Sequence, residues 1–239
     1  MIMSRFFAAA VIGGLLALGA CGGGGGSGGP KVTIEGAQPQ DITPTSLLFS
    51  DMLISGQGIN ERASNIACRP DLSLCQATAQ GRTFTFEPSL DDPGDDVTGT
   101  IYTALGEWNH MILGALHAQI QGYQVRYALA GGIVHPNSIP RGAATWSGEM
   151  VGLDANNRAV RGGAAISLTD FGNPRIDVRL EPQSYPVMEW HGLPLQSGRF
   201  ADRRTASDYI KGEFYGPNAE EVGGVFERNR IIGAFGAQR

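Results

Sequence analysis

Residues 209–239 read YIKGEFYGPNAEEVGGVFERNRIIGAFGAQR, and the fold turns on how that stretch is read. Six glycines (Gly212, Gly216, Gly223, Gly224, Gly233 and Gly236) lie among Phe214, Phe226 and Phe235 in otherwise strand-like chain. Glycine inside a strand weakens it, so glycine this dense calls for a geometric reason. A small, tightly curved barrel supplies one: glycine lets strands bend at the corners, and large aromatics fill the interior. The segment YGPNAEEVGG is too long for a tight hairpin, so Pro217 is expected to start a short helical turn through Glu221. The last strand is then expected to pair with an earlier one, leaving no open edge.

Working back from this stretch, the alternation stays clear to about residue 141. Ala144, Trp146, Gly148 and Met150 share one face, against Thr145, Ser147 and Glu149. Val160, Gly162, Ala164, Ile166 and Leu168 form the next apolar face. In RIDVRLE, Ile176, Val178 and Leu180 oppose Arg175, Asp177, Arg179 and Glu181. The turns LDANNRA and DFGNPR separate these runs at hairpin length. Period two with one apolar and one charged face describes an antiparallel sheet packed on one side. A membrane barrel would need an apolar outer face instead.

Further upstream, KVTIEG opens as a strand, and Pro39 and Pro44 keep PQDITPTSLLF from forming a long regular element. RTFTFE and YQVRYALA alternate as strands. The acidic stretch SLDDPGDDVTG between them reads as a solvated turn, since it lacks the ligand spacing of a calcium loop. The stretch YTALGEWNHMILGALHAQIQG fits a helical stripe almost as well as extended chain; its glycines and neighbours favour β.

The amino terminus sets the compartment. Arg5 precedes an uncharged run, Phe6–Ala20, that is short for a membrane span but suits an export signal. The run ends in Leu18-Gly19-Ala20-Cys21, which resembles the lipobox of bacterial lipoproteins. Residues 1–20 are thus expected to be removed and Cys21 to carry acyl chains, palmitate among them. With glycine rather than aspartate following Cys21, the resemblance implies the outer membrane, with the folded part facing the periplasm or the cell surface. Residues 21–40 read as a disordered, glycine-rich tether. Of the remaining cysteines, Cys68 and Cys75 in CRPDLSLC lie close enough to pair as a disulfide in an oxidising compartment. The rival, a metal pair, lacks further ligands at a fitting spacing.

Composition narrows the function. Charged residues make up 17% of the chain and the formal net charge is −5, with no cluster of Lys and Arg of the kind nucleic acid requires. The four histidines, His110, His117, His135 and His191, show no metal-ligand spacing, and no serine lies in a nucleophile elbow. Asp91-Asp92 and Glu220-Glu221 read as solvated turn residues, so an enzyme is not expected, nor a bound metal. In MEWHG, Trp190 is expected to pack while Glu189 and His191 face water.

Taken together, GEFYGPNAEEVGGVF (212–226) with IIGAFGAQR (231–239), GAATWSGEMVG (142–152) and VRGGAAISLTDFG (160–172) resemble the β-barrel domain of the transferrin-binding protein B family. Factor H-binding protein and the haem-scavenging hemophilins share that domain. The resemblance implies an all-β chain: an eight-stranded antiparallel barrel over 141–239, preceded by a smaller handle-like β domain over 41–140. It implies an outer-membrane lipoprotein that binds a ligand, either an extracellular protein or an iron or haem-type ligand; the alternative is a structural envelope lipoprotein. Transferrin is not carried over, because the namesake has two lobes and its contact loops find no match here. Tyr102, His110 and His117, in the segment where hemophilins use their handle, are the candidates for a haem site.

Overall fold

In this computed structural model the described residues are 32–35, 46–56, 59–68, 75–86, 97–103, 108–120, 122–135, 140, 142–169 and 173–239. The export signal, the tether apart from 32–35, and the acidic stretch 91–96 lie outside them. The described residues form strands and turns, with no helix among them. In order, the strands are β1 (Val32–Glu35), β2 (Ser46–Gly56), β3 (Ile59–Arg62), β4 (Ser64–Cys68), β5 (Cys75–Ala79), β6 (Arg82–Phe86), β7 (Val97–Thr103), β8 (Met111–Ile120) and β9 (Tyr123–Gly132). They continue with β10 (Ala144–Leu153), β11 (Ala159–Leu168), β12 (Arg175–Pro182), β13 (Met188–Gln196), β14 (Arg199–Thr205), β15 (Asp208–Tyr215), β16 (Glu221–Arg228) and β17 (Ile231–Gln238).

Strands β10 to β17 close in sequence order into an eight-stranded antiparallel barrel, the final strand β17 returning to pair with β10. Each strand turns its expected apolar residues inward. Trp146 and Met150 from β10, Ile176, Val178 and Leu180 from β12, and Phe226 and Phe235 from the closing strands share one buried core. Trp146 packs on Phe214 at 4.9 Å between ring centroids, and Trp190 meets Phe226 edge-on at 6.2 Å. Tilted aromatic pairs of this kind add roughly 0.5–1.5 kcal/mol beyond the area they bury. On the outside, β12 and β13 carry charges in water, such as the Arg179–Glu181 pair at 2.6 Å.

The amino-terminal part is a six-stranded sheet in the order β1-β7-β8-β9-β2-β3, beside a three-stranded sheet β4-β5-β6. Within the ambiguous segment, residues 102–103 and 111–120 are extended, in β7 and β8. β1 lies within the stretch read as tether and runs parallel on β7. β2 extends over 11 residues, starting just beyond Pro44.

Two expectations need correction. The chain from Gly216 to Ala219 is a hydrogen-bonded turn, not a helical one, and β16 starts at Glu221. Gly216 and Ala219 both have positive φ, +82° and +57°, which interrupts any right-handed helical run. Nor is the barrel wall covered on one side only. In β16 and β17 nearly every residue is buried, because the β8–β9 sheet lies across their outer face.

The glycines accordingly have two uses. At Gly148 and Gly224 a Cβ would collide with the backbone of the adjacent strand, so these positions allow tight coiling, as expected of a small barrel. Gly223 and Gly236, paired across β16 and β17, leave a shallow place on the outer wall instead. The methyl of Met111 sits over both, with Leu113 and Trp108 beside Gly236.

Candidate functional site

The two halves meet in a seam that is apolar at its centre and polar at its ends. From the handle come Trp108, Met111, Leu113, Ala115, Ala128 and Ala130; from the barrel Val151, Leu153, Tyr209, Tyr215, Val225, Ile232 and Ala234. Small residues on both sides let the sheets approach closely.

At one end of the seam the carboxylate of Glu221 accepts the N–H of Asn109 at 2.7 Å and that of His110 at 3.0 Å. Burial pushes this carboxyl up from its ordinary value, and the N–H groups of Asn109, His110 and Met111 hold it back. The same end is stitched through the backbone. Ile133 donates to the His110 carbonyl at 2.7 Å, and Gly216 donates to the Ile133 carbonyl at 3.1 Å. The turn also caps the barrel, since the Trp146 indole donates to the Ala219 carbonyl at 2.8 Å.

The opposite end is rich in arginine. Arg62 of β3 pairs with Glu227 and donates to the Ala206 carbonyl at 2.8 Å, its guanidinium 4.7 Å from the Tyr209 ring centre. Burial, and then the nearby Arg203, lower Arg62 to about 10. Arg203 approaches the same ring at 5.6 Å. Arg126 of β9 donates to the Asp154 carbonyl at 3.1 Å.

Asp154 organises the β10–β11 turn, accepting from the N–H groups of Asn156 and Arg158, the Arg158 guanidinium and the Tyr185 hydroxyl, all within 2.9 Å. Burial alone would raise its carboxyl; the Arg158 N–H, the Tyr185 hydroxyl, the Arg158 guanidinium and the Asn156 N–H outweigh it and hold the group at about 2.

Inside this mouth, Arg228 lies 3.9 Å over the Trp190 ring, donating to Asp208 at 2.7 Å and to the Glu189 carbonyl at 2.6 Å. The Arg228 Nη2 and the Trp190 indole N–H are buried there without acceptors.

Of the candidate haem residues, His110 lies apart, while Tyr102 and His117 stand two register positions from each other on the paired strands β7 and β8. His110 sits against Gly216 at the Glu221 end of the seam. His117, on β8, is bonded to Gln124 at 2.7 Å. Seven residues of extended chain separate them, about 23 Å at ~3.3 Å per residue, so they cannot share one iron. Tyr102 stands opposite Ala115 in the β7–β8 register, and its side chain lies outside the described residues. Among the described residues no group of three or more His, Cys, Asp or Glu side chains is placed to hold a metal ion. Cys68 and Cys75 are direct partners across β4 and β5, and their side chains lie outside the described residues. Trp190 is fully buried with His191 exposed and Glu189 between, as MEWHG implied.

The arginine end was not anticipated. Its signal was present in RFADRRT, where Arg199, Arg203 and Arg204 crowd one strand, but Arg62, Arg126 and Arg228 join it only through folding. Glu221, read as a solvated turn residue, is buried because the handle covers it.

Residues 139–239 match the family described as the C-lobe and N-lobe beta barrels of Tf-binding protein B. Over those residues the closed barrel is similar to the transferrin-binding protein B type. Among solved structures the chain is similar to the isotype 1 transferrin-binding protein B of serogroup B Neisseria meningitidis, with TM-score 0.48 and 18% identity over 80% of this chain and 42% of that one. It is also similar to a single-substitution mutant of the vaccine antigen transferrin-binding protein B from Haemophilus parasuis Hp5, with TM-score 0.44 and 15% identity over 79% of this chain and 44% of that one. The chain spans less than half the length of these two proteins. No curated protein matches it.

Proposed function

We propose that this chain is a non-enzymatic binding protein, moored to the bacterial outer membrane by acyl chains on Cys21 and presenting its barrel and handle to a ligand. The observation that carries the reading is the match of residues 139–239 to barrels of a family named for binding. The lipobox-like Leu18–Cys21 and the glycine-rich run after it support the anchor. Two or three acyl chains, at ~0.8 kcal/mol per buried methylene, hold such a protein stably where one would not.

Labelling cells with a palmitate analogue tests the anchor: wild type is labelled and membrane-bound, and Cys21→Ser is neither. Unlabelled wild type recovered as soluble protein overturns it. Protease shaving of intact cells, followed by affinity capture with the soluble domain, tests the binding role. Loss of the chain on shaving together with capture of an extracellular ligand supports the reading. Recovery of envelope components alone assigns a structural role instead.

Haem is the narrower form of the proposal. Given the spacing of the histidines, a given iron would take His110 or His117, not both. A haemin titration should then show a Soret shift that one of His110→Ala and His117→Ala abolishes and the other leaves intact; no shift removes haem.

A further inference from the structure

The closed barrel is least paired between β13 and β14. The two strands leave the Ser197-Gly198 turn paired at Gln196↔Arg199 and Leu195↔Phe200, and no further pairs follow. In a two-residue hairpin the next pair to exchange hydrogen bonds would be Pro194 with Ala201. Pro194 has no N–H to give, so the ladder stops there. Gly192 then takes φ +64° and turns its N–H to Asp177 at 2.7 Å, which bends β13 out of line with β14. Because backbone groups alternate in direction along a strand, the N–H and C=O of Ala201 and Arg203 point into the gap, while Phe200 and Asp202 bond to β15.

Three features describe what would fill this gap. Its backbone edge can extend a sheet by one strand, as in recognition of an extended peptide. On its β13 side Arg228 is held by the Glu189 carbonyl at 2.6 Å and lies 3.9 Å over the Trp190 ring, with its Nη2 left without an acceptor. Its rim carries more arginine than carboxylate on a chain of net charge −5: Arg62, Arg203, Arg204, Arg228 and Arg230 stand against Asp202, Asp208, Glu227 and, on β13 itself, Glu189. Exposed Arg203 and Arg204 project from β14 itself. An acceptor-rich, negatively charged extended chain complements all three.

We propose that the β13–β14 gap is a docking site for an acidic peptide segment of a partner protein, which adds a strand to β14 at Ala201 and Arg203 and places carboxylates against Arg203, Arg204 and Arg228. The inference deepens the binding reading above. Its test uses purified protein, so its failure is separate from a failure of membrane anchoring or surface exposure.

The probe is an eight-residue peptide of alternating Glu and Thr, with the Lys–Thr peptide and anionic phosphatidylglycerol vesicles as controls. In the free protein, the amides of Ala201 and Arg203 should exchange with solvent at least 100-fold faster than those of Phe200 and Asp202. The Glu–Thr peptide should slow the first pair selectively. Arg203→Glu with Arg204→Glu, both exposed and so compatible with an unchanged fold, should weaken the peptide at least tenfold in fluorescence anisotropy. Pro194→Val, whose N–H can donate to the Ala201 carbonyl and close the gap, should show its own residue-194 amide protected without peptide and weaken binding to a similar degree. The proposal is overturned if Ala201 and Arg203 are already protected in the free protein. Equal binding of the Lys–Thr peptide overturns it too, as does affinity indifferent to these substitutions. Binding to the vesicles in preference to the peptide would assign the arginine rim to a lipid surface and also overturn it.

Discussion

Replacing Glu221 by alanine tests whether the seam is held by the hydrogen bonds seen at its end. The substitution removes the acceptor shared by the N–H groups of Asn109 and His110. A buried donor left unpaired costs roughly 1–3 kcal/mol, so two would cost ~2–6 kcal/mol. Asn109 is exposed and His110 half-buried, which lets water reach both donors and brings the expected loss to ~2–3 kcal/mol. For a chain of this size that corresponds to a fall in Tm of roughly 4–12 °C. Glu221→Gln keeps one carbonyl oxygen and discards a charge that burial disfavours, so its loss should stay below ~1 kcal/mol.

Chemical denaturation followed by tryptophan fluorescence gives both numbers, since Trp108 reports the seam and Trp146 and Trp190 the barrel interior. Acidity supplies a further signature. The fold raises the Glu221 carboxyl above its unfolded value near 4.5, so the folded chain binds that proton more readily. Stability from this group is complete below that value and is lost as pH rises through the folded one. Wild type should therefore gain stability over Glu221→Gln as pH falls from 7 toward 4.5. An alanine variant within 0.5 kcal/mol of wild type, or a glutamine variant as damaged as the alanine one, would refute the argument.

Three other outcomes are expected. Gly224→Ala should cost ~3 kcal/mol and Gly236→Ala ~1 kcal/mol, because the first Cβ meets backbone and the second the mobile ends of Leu113 and Met111; equal losses in urea melts would contradict this. Asp154 behaves oppositely to Glu221: its carboxyl falls from 3.8 to about 2 on folding, so its stabilisation is complete above 3.8 and lost as pH falls through about 2. Asp154→Asn should flatten that part of an acid-unfolding profile. Cys68 and Cys75, proposed as a disulfide, stand as direct antiparallel partners, where Cα atoms lie ~4.5–5.5 Å apart, within disulfide reach. Intact mass of protein from an oxidising compartment should rise by two hydrogens on reduction, and an unchanged mass would exclude the bond.

The local pattern of this chain was enough to give strands and their faces, and the resemblance of the closing motifs implied the eight-stranded barrel. Period-two alternation in β10, β11 and β12 assigns each side chain to a face, and a face is a property of neighbouring residues alone. The same holds for Pro194, whose missing N–H ends a ladder wherever the strand is placed. The seam needed the fold. Val225, Ile232 and Ala234 sit on what alternation marks as the outer wall, and only the sheet carrying Met111 and Leu113 makes that wall an interior.

Glu221 shows the same division: as a turn glutamate it reads as solvated, yet the handle buries it and supplies its donors from residues more than a hundred positions away. Arg62 and Arg228 likewise meet at one barrel mouth although the sequence sets them far apart. Periodicity reports which way a side chain points. Which surface then covers it depends on contacts between distant segments, and those exist only once the barrel has closed and the handle has docked.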